Sequence, residues 1–109
     1  MKLQNRPFEM IKNGKKTIEL RLYDEKRKCI SKGDTIVFTN AGNEAEKLVV
    51  SVEDLFVFDS FRSLYAALPL DECGYTEDNI GTASPDDMNV YYSEEEQKKY
   101  GVIGIKISL

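Results

Sequence analysis

Gly14-Lys15-Lys16-Thr17-Ile18-Glu19-Leu20-Arg21-Leu22-Tyr23 is the stretch that decides how this chain is read. Its glycine ends a helix, and its lysine pair leads into a strand. Side chains alternate across a strand with period two. Ile18, Leu20 and Leu22 therefore share one face, and Thr17, Glu19, Arg21 and Tyr23 share the other. The apolar face buries. The opposite face carries a hydroxyl, a carboxylate and a guanidinium in a row, each about 7 Å from the next. Such charges cannot be buried unpaired. Either the face looks into solvent, with Glu19 and Arg21 as a weak surface pair, or it lines a wet cleft in which charges pair across strands. Strict alternation puts Lys16 with Ile18, so Lys16 must sit in the turn ahead of the strand or snorkel. A lysine in a helix-to-strand turn beside a carboxylate suits an anion or, once desolvated, the role of a base.

On the N-terminal side, Pro7 fits a first helical position, Phe8 and Ile11 share a face, and Gly14 closes a helix of about two turns. On the C-terminal side, the strand Thr17–Tyr23 is expected to run on toward Ile30 through the charged segment Asp24–Lys28, with Cys29 at a strand edge. Lys32-Gly33-Asp34 reads as a turn. Thr35–Thr39 reads as a second strand. Asn40-Ala41-Gly42-Asn43 reads as a hairpin turn built from residues that tolerate positive φ. A third strand starts near Lys47, with a bulge at Glu53-Asp54. Leu55–Phe58 continues it, apolar on both faces and expected to be buried on both.

Ser60 caps a helix carrying Phe61, Leu64, Tyr65 and Leu68, which Pro69 stops. Residues 70–82 are irregular. Ser84-Pro85-Asp86-Asp87 and Ser93-Glu94-Glu95-Glu96 are both helix starts with capping-box character, and Met88, Tyr91 and Tyr92 form an inward face. Val102–Ser108 is the last strand, with Ile103, Ile105 and Ile107 on one side and Gly104 on the other, where a backbone or ligand can approach closely. This order is α+β. A late strand that rejoins the first ones points to a small barrel, whose closure removes exposed edges.

The chain has 109 residues, the length of one domain. Its N-terminus has no apolar signal core and no apolar run approaches a membrane span, so a cytoplasmic protein away from membranes is expected. Histidine is absent. That excludes Ser-His-Asp and Cys-His chemistry and His-ligated zinc. Two cysteines, Cys29 and Cys73, form no metal motif or redox motif. No cofactor and no metal are expected, and any general base is Lys, Glu, Asp or Tyr. Net charge is −4, unevenly spread. Residues 1–34 hold ten bases against five acids, whereas residues 35–109 hold five against fourteen. One basic face meeting an anionic ligand fits this asymmetry, as does a solvated surface with clustered lysines. Tyr91, Tyr92, Tyr100, Phe58 and Phe61 suit either a core or stacking platforms for bases. Asn40 is a turn residue or an amide that reads a base edge.

The segment Gly14–Arg21 resembles the G-x-K-x-x-E-x-R signature of the ASCH domain family (activating signal cointegrator homology) of the PUA-like superfamily. Lys32-Gly33-Asp34, Phe38-Thr39-Asn40, the Phe58–Tyr65 segment and Tyr100–Ile105 resemble its compact single-domain prokaryotic members. The resemblance implies a small PUA-like mixed β-barrel with short flanking helices and a cleft lined by the signature strand. It also implies RNA or nucleotide binding, with Lys16, Glu19 and Arg21 at the matching positions. In the resulting reading, Lys15, Lys16 and Arg21 contact phosphate or a base edge. Glu19 orients Arg21 or accepts from an exocyclic amine, and Asn40 assists. The molecule acts as a monomer or weak homodimer. Lys16→Ala and Arg21→Ala are then expected to weaken binding while leaving the melting temperature nearly unchanged.

Some small bacterial relatives are amidohydrolases that deacylate N4-acetylcytidine. They use a lysine matching Lys16, a threonine where this chain has Glu19, and a further glutamate. An enzyme here, amidohydrolase or ribonuclease-like, would use Lys16 and Glu19, with Thr17 as a loose substitute for the nucleophile. A third reading is a protein-interaction domain built on the acidic helices of residues 84–99.

Overall fold

The computed structural model describes residues 1–109. Strand β1 (Lys2–Leu3) precedes helix α1 (Asn5–Lys12), whose Phe8 and Ile11 bury together one turn apart. Gly14, at φ 75°, turns the chain so that the Lys15 and Lys16 N–H groups both reach the Met10 carbonyl. Strand β2 (Ile18–Leu22) follows, then a four-residue helix α2 (Glu25–Lys28). Strands β3 (Thr35–Asn40) and β4 (Asn43–Phe58) form a hairpin. Helix α3 (Phe61–Ala67) starts at Ser60, whose hydroxyl accepts from the Ser63 N–H. Short 3-10 turns at Leu70–Glu72, Ile80–Thr82 and Pro85–Val90 lead to helix α4 (Glu94–Tyr100) and strand β5 (Val102–Ser108). Both expected capping boxes form, Ser84 with Asp87 and Ser93 with Glu96. No helix is long and apolar enough to cross a membrane.

The strands make one sheet in the order β1-β3-β4-β5-β2. β1 runs parallel to β3, and the other neighbours are antiparallel. The long strand β4 is shared. Its first half pairs with β3 and its second half with β5, and the register shifts between Val52 and Asp54, so the expected bulge at Glu53 is present. A bulge bends and twists its strand, and here it lets β4 leave one partner for the other as the sheet curls. The two edge strands, β1 and β2, meet across a seam bridged by Arg21, whose Nη2 donates to the Lys2 carbonyl at 3.0 Å. The architecture is α+β, a small PUA-like mixed β-barrel left open along that seam.

Each face of the sheet has its own core. Leu3, Phe8, Ile11, Ile36, Phe38, Val50, Val52, Ile103, Ile105 and Ile107 pack inside the curl. Ile18, Leu20, Leu22 and Val102 pack outward against Phe61, Leu64, Tyr65, Cys73 and Met88 of the helical layer. Pairing explains where the polar face of β2 goes. Glu19 stands opposite Ile105 and Arg21 opposite Ile103. In an antiparallel pair, residues directly opposite share a face. Glu19 and Arg21 therefore project to the inner side of the curl, at its open edge, and not into bulk solvent.

Several expectations are corrected. Asp24–Lys28 does not extend β2, because Asp24 caps α2 by accepting from the Arg27 N–H, so this charged run folds locally. Cys29 accordingly ends a helix, exposed, and not a strand edge. Gln4 is the N-cap of α1, which puts Pro7 at the third helical position, still within the first turn. The Asn40–Asn43 turn needs no positive φ; the Asn40 side chain accepts from the Gly42 N–H at 2.9 Å and closes it instead. Val57 is 50% exposed, while Leu55 on its face packs against one core and Phe58 on the other face against the second, so residues 55–58 are partly buried on both faces and fully on neither. Tyr91 is 66% exposed and points away from the core that Met88 enters. The last strand rejoins β2 as expected, but it lies inside the sheet between β4 and β2, so the open edge falls between β1 and β2. Gly104 meets side chains, not a ligand, since a Cβ there would fall 2.7 Å from Leu68 Cδ1.

Candidate functional site

At the seam lies a cavity of about 440 Å³, bounded by α1 and β1, by β2, and by the helical layer. A volume of this order suits a small ligand. One wall is the β2 cluster. Glu19 is 3% exposed. Its Oε1 stands 2.8 Å from Lys16 Nζ, and its Oε2 accepts from Arg21 Nε at 3.1 Å and Nη2 at 3.0 Å. The cation side chains are nearly buried too, at 11% for Lys16 and 16% for Arg21. Burial alone raises the Glu19 carboxyl. The Lys16 ammonium and the Arg21 guanidinium outweigh it and hold the group below its ordinary value of 4.5. Two cations against one anion leave the cluster at +1. Arg21 Nη1 has no protein partner and remains free to donate.

Local structure explains how Lys16 escapes the alternation problem. It lies ahead of β2, in the turn that Gly14 opens. Its stem passes Gly74, where a Cβ would sit 3.4 Å from Lys16 Cδ. Gly74 holds φ 111°, a conformation side chains avoid, so the helical layer can approach the lysine closely there.

A second wall, from the helical layer, comes from residues that, Tyr92 apart, sequence reading did not assign to the site. Tyr65, Tyr75 and Asp87 form a hydrogen-bonded chain facing the cavity. Tyr92 adds a ring stacked on Phe61, centroids 6.3 Å apart. Tyr65 was legible only as a core position of α3, and Tyr75 sits in irregular chain with no periodicity to mark it. The capping box at Asp87 was legible, but its second role as partner of Tyr75 was not.

Lys16, Glu19 and Arg21 thus come together at the cavity, whereas Lys15, Thr17 and Asn40 do not line it. Lys15 is exposed on the far side of the turn. The Thr17 hydroxyl donates to Glu72 Oε1 at 2.7 Å, and Lys106 binds the same oxygen. The Asn40 side chain is 1% exposed, its amide engaged with Asn5, Glu46 and Gly42. Cys73 borders the cavity, and burial pushes its thiol up to about 11, the direction of an unreactive thiol.

A curled mixed sheet with a charged cleft at its seam defines a PUA-like domain. The ASCH domain model matches residues 1–109, and the chain belongs to the ASCH domain family. Two solved structures are similar. One is the crystal structure of hypothetical protein PH0355, 38% identical, with a TM-score of 0.80, covering 99% of this chain and 94% of that one. The other is the solution structure of protein PF0455 from Pyrococcus furiosus, also 38% identical, with a TM-score of 0.68, covering 99% and 93%. No curated protein matches the chain.

Proposed function

We propose that the seam cleft binds one nucleotide of a single-stranded RNA. The Lys16–Glu19–Arg21 cluster carries the reading. It sets two cations and one carboxylate in the wall of a half-enclosed cavity, with the Arg21 Nη1 donor unsatisfied. Lys16 and Arg21 donate to phosphate or to a base carbonyl. Glu19 fixes both and, in a cavity shielded from bulk water, strengthens those contacts. Arg6, which also lines the cavity, adds to the attraction of a polyanion. Tyr92 offers a face for stacking.

Binding is favoured over amide hydrolysis by Thr17, whose hydroxyl is bonded to Glu72 outside the cleft. That leaves no alkyl hydroxyl beside Lys16 to serve as nucleophile. Acylated cytidines turned over by the wild type, with turnover lost in Lys16→Arg, would reverse that preference.

The reading is tested by fluorescence anisotropy with labelled single-stranded RNA across a salt series. Two to three phosphate contacts predict a log–log slope of about −1.5 to −2. The double variant Lys16→Met/Glu19→Gln removes one charge of each sign together and should weaken binding about tenfold, the loss of one charge-assisted contact. Binding without a salt slope, or unaltered in the double variant, would refute the proposal.

A further inference from the structure

The Tyr65–Tyr75–Asp87 chain has a direction. The Tyr75 hydroxyl donates to Asp87 Oδ2 at 2.6 Å. A phenol has a single hydrogen, so in the 2.8 Å contact between Tyr65 and Tyr75 the donor is Tyr65. Asp87 Oδ2 also accepts the Ser84 N–H at 3.2 Å, which ties the end of the chain to its own turn. Burial and the bond to Asp87 push the Tyr75 phenol well above its ordinary value, which keeps it a donor. Both phenolic hydrogens are therefore committed within the chain. What the chain still offers to the cavity is a lone pair on the Tyr65 oxygen, since Asp87 is exposed and its Oδ2 already accepts from Tyr75 and from the Ser84 N–H.

At the β2 wall of the same cavity the polarity is reversed, with hydrogens from Lys16 Nζ and Arg21 Nη1. A ligand spanning the cleft must accept at the β2 wall and donate at the phenolic wall. We infer that the Tyr65 oxygen, held as an acceptor by Tyr75 and Asp87, takes the exocyclic amine N–H of the bound nucleobase and makes the cleft select amino-bearing bases over their oxo counterparts. The inference rests on the nucleotide-binding reading above. An exocyclic amine gives its hydrogen to the phenolic wall. An oxo group at the same place sets lone pair against lone pair and leaves both unsatisfied, and such unpaired groups discriminate strongly. A ribose hydroxyl cannot discriminate in this way, since every ribonucleotide has one.

The experiment compares labelled RNA strands identical but for one residue, adenosine against inosine and cytidine against uridine, at one salt concentration. The amino member of each pair should bind about tenfold more tightly. Tyr75→Phe releases the Tyr65 hydrogen to the cavity and should bring both ratios close to one. Tyr65→Phe deletes the accepting oxygen altogether and should also bring both ratios toward one, through weaker binding of the amino member. Melting temperatures confirm that both variants fold. Equal affinities within each pair, in a wild type that still binds RNA with a salt slope and still responds to Lys16→Met/Glu19→Gln, would overturn this inference and leave the binding reading standing. A preference that survives either variant would overturn it as well. Absence of any RNA binding would remove the binding reading, and the inference with it.

Discussion

The two walls of the cleft are built by different means. Lys16, Glu19 and Arg21 fall within six residues of one another, on β2 and the turn before it. The strand's period of two aims Glu19 and Arg21, pairing with β5 holds them, and the Gly14 turn places Lys16 beside them. Tyr65, Tyr75 and Asp87 are ten and twelve residues apart, on α3, on irregular chain and on a 3-10 turn. Only the packing of the helical layer brings them together. The first wall is charged and buried, so its integrity is inseparable from the fold. The second is phenolic and reaches the surface at Asp87, so its chemistry can change while the fold persists.

That contrast is broken most forcefully at the charged wall. Removing one cation leaves the buried Glu19 carboxylate underpaired. Lys16→Ala or Arg21→Ala should each lower unfolding free energy by about 3 kcal/mol in urea titrations. This replaces the expectation from sequence that the melting temperature would hardly move, which assumed a solvated cleft. In Lys16→Met/Glu19→Gln, Arg21 keeps the Lys2 carbonyl and gains a glutamine oxygen, so most of the loss should be recovered. A single variant as stable as wild type would mean that water, not the fold, satisfies Glu19.

The next effect is smaller and depends on pH. Glu19 is held below its ordinary value in the folded state. As pH falls, the unfolded chain takes up the proton first, so the stabilising contribution is complete above about 4.5 and fades below it. Between pH 6 and pH 3, the wild type should therefore lose more stability than Lys16→Met/Glu19→Gln. Parallel losses would place the acid sensitivity elsewhere, at Glu44 or Glu72, which are also held low.

The smallest effect belongs to the phenolic wall. Tyr75→Phe deletes one hydrogen bond to Asp87 and one from Tyr65, and should cost about 1 kcal/mol. A loss as large as that of Arg21→Ala would show the second wall to be as structural as the first.

Sequence reading reached the first wall and not the second for the same reason. Alternation over Ile18–Leu22 is a local pattern, and it separated Glu19 and Arg21 from the apolar residues before any fold was known. It left open whether that face met solvent or a cleft. The register of Glu19 against Ile105, a pairing distant in sequence, resolves the question. The caps at Ser60, Ser84 and Ser93 were legible because capping is local. β1 was not, since two residues carry no period, yet its Lys2 carbonyl receives Arg21 and bridges the seam. The helix at Glu25–Lys28 was read as strand because its charges hid a four-residue turn capped by Asp24. Tyr75 lay in a segment with no pattern at all, and its partners are set by tertiary packing alone.

In the proposed mode both walls face one bound nucleotide. The most direct measurement is a titration of isotopically labelled protein with a short single-stranded RNA, followed by NMR. It should move the resonances of Lys16, Glu19 and Arg21 together with those of Tyr65, Tyr75 and Tyr92, with one saturating dependence on RNA concentration. Shifts confined to the acidic segment of residues 84–99, or the absence of shifts at the β2 cluster, would contradict it.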